Sequence, residues 1–278
     1  MAMRVTMQMT ARTTVRDLNA DLAQLSALQR KMSSGKDIVR PSDNPYGTSL
    51  ALTLRSELDG LQQYMRNVDD GIAWLNAADA ALGKITDALH RARELLVQAG
   101  SDSAGQRARD AAAGELEQII ETIKQEANVQ YAGRYIFGGT ITDRVPYPAN
   151  PDPRDLLPTD DPRDPFRGNT DTVEREIGPG VLLPINTDIY RLLGGGQRAA
   201  DSRLLHTLRD IVDHMRAGDG NSLRTIDLQR LDANIDVLNE IRADVGARTN
   251  RLETAGSRLR SLEENSLDLL SKVEDADV

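Results

Sequence analysis

Residues 54–96 read LRSELDGLQQYMRNVDDGIAWLNAADAALGKITDALHRARELL. Apolar or small side chains recur along this stretch every three or four residues, which places them on one face of an α-helix. A repeat near 3.5 residues sustained over this length is typical of paired helices in coiled coils. Such a helix is about 65 Å long, longer than a compact domain is wide. We predict a packing seam formed by Leu54, Leu58, Leu61, Val68, Ile72, Leu75, Leu82 and Leu89.

The last fifth of the chain carries a second stripe of the same kind, which continues to Leu262, Leu269 and Val273. Arg248 and Ser266 interrupt it; polar residues in a seam either fix its register or face solvent, and both alternatives stay open. The two stripes predict an elongated antiparallel helical bundle built from both chain ends, a shape suited to assembly. The second half of the seam consists of Leu231, Ile235, Leu238, Val245, Leu252 and Leu259.

The composition narrows the possible functions. Hydrophobic residues make up 39% of the chain but aromatic residues only 3%, which favours thin helix seams over a thick globular core. The net charge of −9 argues against general nucleic-acid binding, which needs a basic surface. The absence of cysteine excludes disulfides and thiolate chemistry. We find no apolar run that would span a membrane and no pattern of a cleaved secretory signal.

The first segment, from Met3 to about Met32, predicts an amphipathic helix with a narrow apolar stripe. A hinge follows at Arg40–Pro45, where two prolines and three turn-forming residues stop a helix. Further helices are predicted over 47–98, over 104–131 and around Leu204–Met215. The stripe of the first helix includes Leu18, Leu22, Leu25 and Met32.

The composition changes at Gly133, where a β-rich insert begins. We predict a strand that enters a turn within Arg134–Thr140, a solvated Pro- and Asp-rich stretch over 146–165, and a hairpin around Gly178-Pro179-Gly180 whose second strand, carrying Pro184, lies at an edge. The predicted fold is therefore mainly α with a small β insert. Its predicted parts are an N-terminal amphipathic helix and hinge (1–42), a helical rod (43–133 plus 200–278) and a β-rich outer insert (134–199).

Several groups resemble chemical sites without meeting their requirements. Ser34-Gly35-Lys36 resembles the end of a phosphate-binding loop but lacks the earlier glycine and the preceding strand. His206, Asp210 and His214 share a helical face, yet two turns separate the histidines, which favours solvated side chains over a metal site. The stretch Asp152–Asp164 lacks the ligand spacing of a calcium loop. We interpret Trp74 as a packing anchor, and we predict no catalytic, cofactor or metal site.

Several segments closely resemble the flagellin family. Leu28–Lys36 is similar to that family's "kLSSGkri" segment, and Pro41–Gly47 resembles its turn between terminal helix and rod. Val68–Leu82 is similar to "naqDGislLqtaegAL", and Arg93–Ala99 to "mRELavQa". At the other end, 245–252 and 273–277 resemble the returning helix. The similarity covers about two thirds of the chain.

The resemblance implies a structural component of the bacterial flagellum, either the subunit that joins hook to filament or the filament flagellin itself. The segment Gly133–Thr140, in place of the "FNG" turn of filament subunits, resembles the junction subunit, as do Met3–Thr6 and the short single insert. We therefore favour the junction role. A surface adhesin that binds carbohydrate through the insert is a further alternative, although the insert offers few aromatic rings (Tyr147, Phe166, Tyr190).

The same resemblance implies an extracellular location in the flagellum, reached through the flagellar export machinery without a cleaved signal peptide. The implied partners are other copies of the chain, flagellin, a neighbouring hook-associated protein and an export chaperone. The charge and the lack of a long apolar run predict neither nucleic acid nor a membrane as a partner. Members of the family continue beyond the segment that matches Glu274–Asp277 with a helix that pairs with the first one. This sequence ends at Val278, before such a helix, and a lone helix is only marginally stable in water. We therefore expect the stripe on the first helix to be mobile or to pack on another copy.

Overall fold

Helices dominate the computed structural model, which describes residues 7–38, 40–42, 44–101, 104–148, 166–197 and 201–275. The start of the predicted first helix at Met3 and the stretch Asp152–Asp164 lie outside these residues. The described chain divides into two compact units. The terminal unit comprises residues 1–65 and 257–278, and the central unit comprises residues 66–256.

The helices follow the periodic parts of the sequence. In chain order they are α1 (Met7–Ser34), α2 (Pro45–Gly100), α3 (Gln106–Ala127), the single turn α4 (Tyr190–Leu193), α5 (Leu204–Ala217), the short α6 (Gly220–Ser222) and α7 (Leu228–Glu274). A π-helical turn at Leu223–Asp227 connects α6 to α7. The mainly helical class with a small β insert is confirmed.

Helices α2 and α7 run antiparallel within the central unit. Arg93 Nε lies 2.7 Å from Asp232 Oδ1, and Arg242 Nε lies 3.1 Å from Asp79 Oδ1, so residue numbers fall along α7 as they rise along α2. Helix α3 packs on α5 beside this pair, and Arg216 Nη2 lies 2.8 Å from Glu117 Oε2. The central unit therefore buries its seam among four helices.

The terminal unit repeats the antiparallel pairing with the other ends of the same two helices. Gln62 Nε2 donates to Glu263 Oε1 at 3.2 Å, and Arg55 Nη2 lies 2.7 Å from the carboxylate of Glu274. Helix α1 belongs to this unit, and it ends at Ser34, just before Gly35, whose φ of +67° lies in the left-handed region that glycine adopts without strain.

Two short hairpins form the sheets of the described residues, one at the start of the insert and one within it. Strands β1 (Gln130–Tyr131) and β2 (Arg134–Tyr135) pair antiparallel, as do β3 (Glu174–Gly178) and β4 (Val181–Pro184). The second hairpin turns at Pro179-Gly180, as its sequence predicts, and Pro184 lies opposite Glu174 at the end of the ladder. Both sheets have two strands each.

One predicted boundary in this region is wrong. Helix α3 ends at Ala127 rather than near Tyr131 because the Asn128 side chain leaves the helix and pairs with the backbone of Tyr147, donating to its carbonyl at 2.8 Å and accepting from its amide at 2.9 Å. The strand predicted to enter a turn within Arg134–Thr140 is β2, which covers Arg134–Tyr135, and the chain turns in the residues that follow, with a φ of +68° at Gly139.

Candidate assembly surfaces

The predicted seam residues of α2 and α7 lie on the inner faces of their units. In the central unit, Leu75, Leu82, Leu231, Leu238 and Leu252 have no exposed surface, and Val68, Leu89 and Val245 are nearly as buried. Ile72 and Ile235 are partly buried. In the terminal unit the buried members are Leu54, Leu58, Leu61 and Leu259.

The seam of the terminal unit is narrower than the sequence predicts. Leu262 is 41% exposed and Leu269 is 51% exposed, whereas Ser266 between them is buried. Two helices cover a narrower face than the four helices of the central unit do, so side chains at the margin of the stripe stay in contact with solvent. The polar Ser266 therefore lies inside the seam.

The apolar side chains of α1 form the most exposed hydrophobic surface in the described residues. We call this surface the α1 stripe. Its exposed fractions run from 56% to 74%, and residues 11–26 of the helix are all exposed, so the described part of the chain leaves it uncovered. Contiguous apolar surface of this kind marks sites where another protein packs. The stripe consists of Val15, Leu18, Leu22, Leu25, Leu28 and Met32.

Arg248, which interrupts the seam, holds the insert to α7. Its Nη1 donates to the carbonyl of Asn186 at 2.9 Å, and its Nη2 lies 2.6 Å from Asp244 Oδ2. Helix α2 holds the same insert as well, since Arg175 Nε lies 3.0 Å from Asp70 Oδ2 and Asn67 Nδ2 donates to the carbonyl of Glu176 at 2.8 Å. Both helices therefore fix the position of the hairpin.

The aromatic rings of the insert pack on one another. The Tyr147 and Phe166 centroids are 5.3 Å apart, and those of Phe166 and Tyr190 are 5.1 Å apart. Tyr147 is fully buried, and its hydroxyl donates to the carbonyl of Gly194 at 2.8 Å. Stacking on a sugar needs an exposed ring face. These rings instead pack in the core of the insert, which argues against an adhesin that binds carbohydrate through them. Trp74 is also buried and packs against Tyr131 in a T-shaped arrangement, with the ring centroids 6.0 Å apart.

The residues that resemble chemical sites have structural partners. The Lys36 amine lies 3.1 Å from Glu274 Oε2 and forms an ion pair with it. His206 Nδ1 lies 3.6 Å from Asp210 Oδ2, and Asp210 also pairs with Arg230 at 3.0 Å. Within the described ranges no three His, Asp or Glu side chains come together as a metal site would require.

His214 instead pairs with an acidic residue that sequence reasoning missed. Its Nδ1 lies 2.7 Å from Oδ2 of Asp227, whose side chain has no exposed surface. Asp227 is the last residue of the π-helical turn Leu223–Asp227. Burial raises the pKa of Asp227, and the hydrogen bond from His214 opposes that rise. Ordinary helical periodicity gives no signal for this pair, because the π-turn shifts the register.

Replacing Asp227 with Asn is expected to change how stability depends on pH. Because the pKa of Asp227 is higher in the folded state, its stabilising contribution is fully present below the unfolded pKa of about 3.9 and is lost as pH rises through the folded value. Urea unfolding should therefore show the wild type losing stability relative to Asp227→Asn as the solution is made less acidic. Asp236→Asn, at an exposed site on α7, is the control. Parallel pH curves for wild type and Asp227→Asn would contradict the assignment.

The helices of the described segments do not have the combination of length and apolarity needed to cross a bilayer.

A model of the bacterial flagellin N-terminal helical region matches residues 5–142. The chain belongs to the flagellin family. The resemblance seen in its motifs is thereby confirmed, and the family builds the bacterial flagellum, an extracellular appendage. This flagellin-family chain is accordingly a structural component of the flagellum, as its sequence predicts.

Similarity extends over most of the chain. The flagellin of Halalkalibacterium halodurans is 25% identical over 267 residues, which cover 95% of this chain and 82% of the relative. A flagellar hook-associated protein of Vibrio parahaemolyticus shares the fold with a TM-score of 0.72 and 17% identity, covering 84% of this flagellin-family chain and all of that one. FlgL of Bacillus cereus aligns with a TM-score of 0.63 and 21% identity, over 79% of this chain and 99% of its own.

Proposed function

We propose that this chain is the structural subunit that joins the flagellar hook to the filament. The observation that carries the proposal is the fold, which matches nearly the whole length of hook-associated proteins of two organisms. The Gly133–Thr140 exit from α3, which resembles the junction subunit in sequence, supports the same assignment. Filament flagellin is the second candidate, favoured by the curated relative that bears that name.

The proposed mechanism is mechanical. Apolar surface that one subunit leaves exposed, above all the α1 stripe, becomes buried against neighbouring subunits, so that assembly and stability are coupled. In this proposal residues 1–42 make contacts inside the assembly, residues 43–133 with 200–278 carry the axial load, and residues 134–199 face outward. No catalytic reaction is assigned to the chain.

The proposed partners follow from this position. They are other copies of the chain, flagellin on one side and a neighbouring hook-associated protein on the other. In this proposal the flagellar export machinery carries the chain out of the cell. An export chaperone would cover the α1 stripe before assembly. Covering that surface before export would prevent premature association.

Deletion of the gene tests this role. Cells that lack the chain should be non-motile, should keep their hooks, and should release flagellin into the medium without attached filaments. Complementation with the wild-type gene is the control and should restore filaments. Absence of the flagellin subunit itself from both cells and medium would instead support the filament role, and normal filaments would overturn both.

A further inference from the structure

One carboxylate at the end of α7 holds the connection between α1 and α2. The Glu274 side chain is 9% exposed and lies against two cations, Lys36 Nζ at 3.1 Å and Arg55 Nη2 at 2.7 Å. Lys36 belongs to the connection and Arg55 to α2, so this carboxylate links three segments of the terminal unit. A carboxylate with so little exposure is stable when it is paired in this way, and removing a partner is costly.

The backbone of the same residue makes a second link. The amide of Asp37 donates to the carbonyl of Glu274 at 2.7 Å, and Lys36 forms an isolated antiparallel bridge with Asp275. Residues 36 and 37 thus add one extended step alongside the chain that leaves α7. Because both the side chain and the main chain of Glu274 are engaged, the connection is fixed in direction as well as in position.

Helix α1 joins this connection directly. The amide of Gly35 donates to the carbonyl of Lys31 at 2.8 Å and closes the helix, and Lys31 Nζ lies 2.6 Å from Asp37 Oδ1. Residues 11–26 of α1 are exposed, so the helix is attached near its C-terminal end. The direction of α1 within the terminal unit therefore depends on the contacts around residues 31–37.

The ionisation of Glu274 agrees with this geometry. Burial disfavours the charged carboxylate, but the hydrogen bonds from Lys36 and Arg55 outweigh burial and lower the pKa of Glu274. The group is therefore ionised under neutral conditions and available to both cations. A cavity of about 290 Å³ beside it, lined by Ile38, Pro41 and Leu52 among others, leaves the connection room to move if the ion pairs are lost.

We propose that Glu274 is a positioning residue for assembly, which sets the direction of α1 and so presents the α1 stripe to a neighbouring subunit. This inference rests on the proposed assembly function. Local sequence patterns do not predict this role of Glu274, because the residue is separated from Lys36 by 238 residues and from Arg55 by 219 residues.

The chain contains no cysteine, so a pair of labels can be introduced into the full-length protein without background. Ala20→Cys in α1 and Ser261→Cys in α7 are exposed sites within the terminal unit. Spin labels at the two sites allow double electron–electron resonance to measure the distance distribution between the helices. The wild-type background should give one narrow peak, and Glu274→Gln should lose it. Glu264→Gln, at an exposed position on the same helix, should keep it. A peak that survives Glu274→Gln, or a broad wild-type distribution, would overturn the inference.

A second readout separates this inference from the proposed function. Glu274→Gln introduced into cells should reduce filament attachment, while thermal unfolding of the purified variant should leave the main transition unchanged. A broadened distance with normal attachment would overturn the positioning role and leave the junction role intact. Conversely, normal filaments in the deletion strain would overturn the junction role without altering the distance measured on the isolated chain.

Discussion

Replacing Leu75 with Asp is expected to unfold the central unit. Leu75 has no exposed surface, and neither does Leu238 on α7, where the same substitution should act alike. Loss of a buried leucine costs about 2–5 kcal/mol, and a buried, unpaired carboxylate adds several more. The sum approaches the roughly 5–15 kcal/mol by which folded domains are stable. Circular dichroism should show lost helicity and no cooperative melting.

Controls for this prediction lie one residue away. Asn76→Asp and Asn239→Asp introduce the same carboxylate at exposed positions on α2 and α7, and their melting should be close to that of the wild type. Leu75→Ala serves as a graded variant that still folds but unfolds at lower denaturant concentration. Unchanged helicity and melting in both Asp variants of the seam would show that the seam does not hold the unit together.

Replacing Leu22 and Leu25 with Gln is expected to abolish assembly without destabilising the folded chain. Both side chains are more than half exposed, so the substitutions change little within one molecule. If a neighbour covers them, each contributes roughly 1–1.5 kcal/mol of apolar burial. Two substitutions then weaken the contact by about 2–3 kcal/mol, or roughly 100-fold in affinity. Swimming assays and counts of attached filaments measure the loss, and thermal melting measures the folded chain.

The opposite face of α1 provides the matched control. Ala20→Gln with Ala23→Gln places the same two side chains away from the stripe on an equally exposed part of the helix. This pair should assemble normally. Equal loss of attachment in both double variants would mean that assembly is sensitive to changes on any face of α1, and would contradict a specific role for the stripe.

The sequence was sufficient to predict the parts of the fold that local pattern determines. Helices α2 and α7 carry long periodic stripes, and Gly178-Pro179-Gly180 lies between alternating apolar residues, so their structures follow from spacing. The family could be identified from short motifs because these are also local patterns in the sequence. The periodicity of α1 predicts an apolar face but does not distinguish a covered face from an open one.

The rest depends on contacts between residues distant in sequence. Helix α3 ends early because Asn128 pairs with Tyr147, and Leu262 and Leu269 are exposed because few helices cover that part of the seam. Asp227 is buried because a π-turn changes the register in front of α7. Glu274 finds its two cations near the opposite end of the chain. None of these partners could be chosen from one sequence by spacing alone.

The position of the subunit along the flagellum tests the junction role most directly. Pro179, at the exposed tip of the β3–β4 hairpin, can be replaced by Cys and labelled with a fluorescent maleimide on intact cells; the cysteine-free wild-type chain is the control. The junction role predicts one labelled spot per flagellum, at the boundary between hook and filament. Label distributed along the whole filament would contradict it.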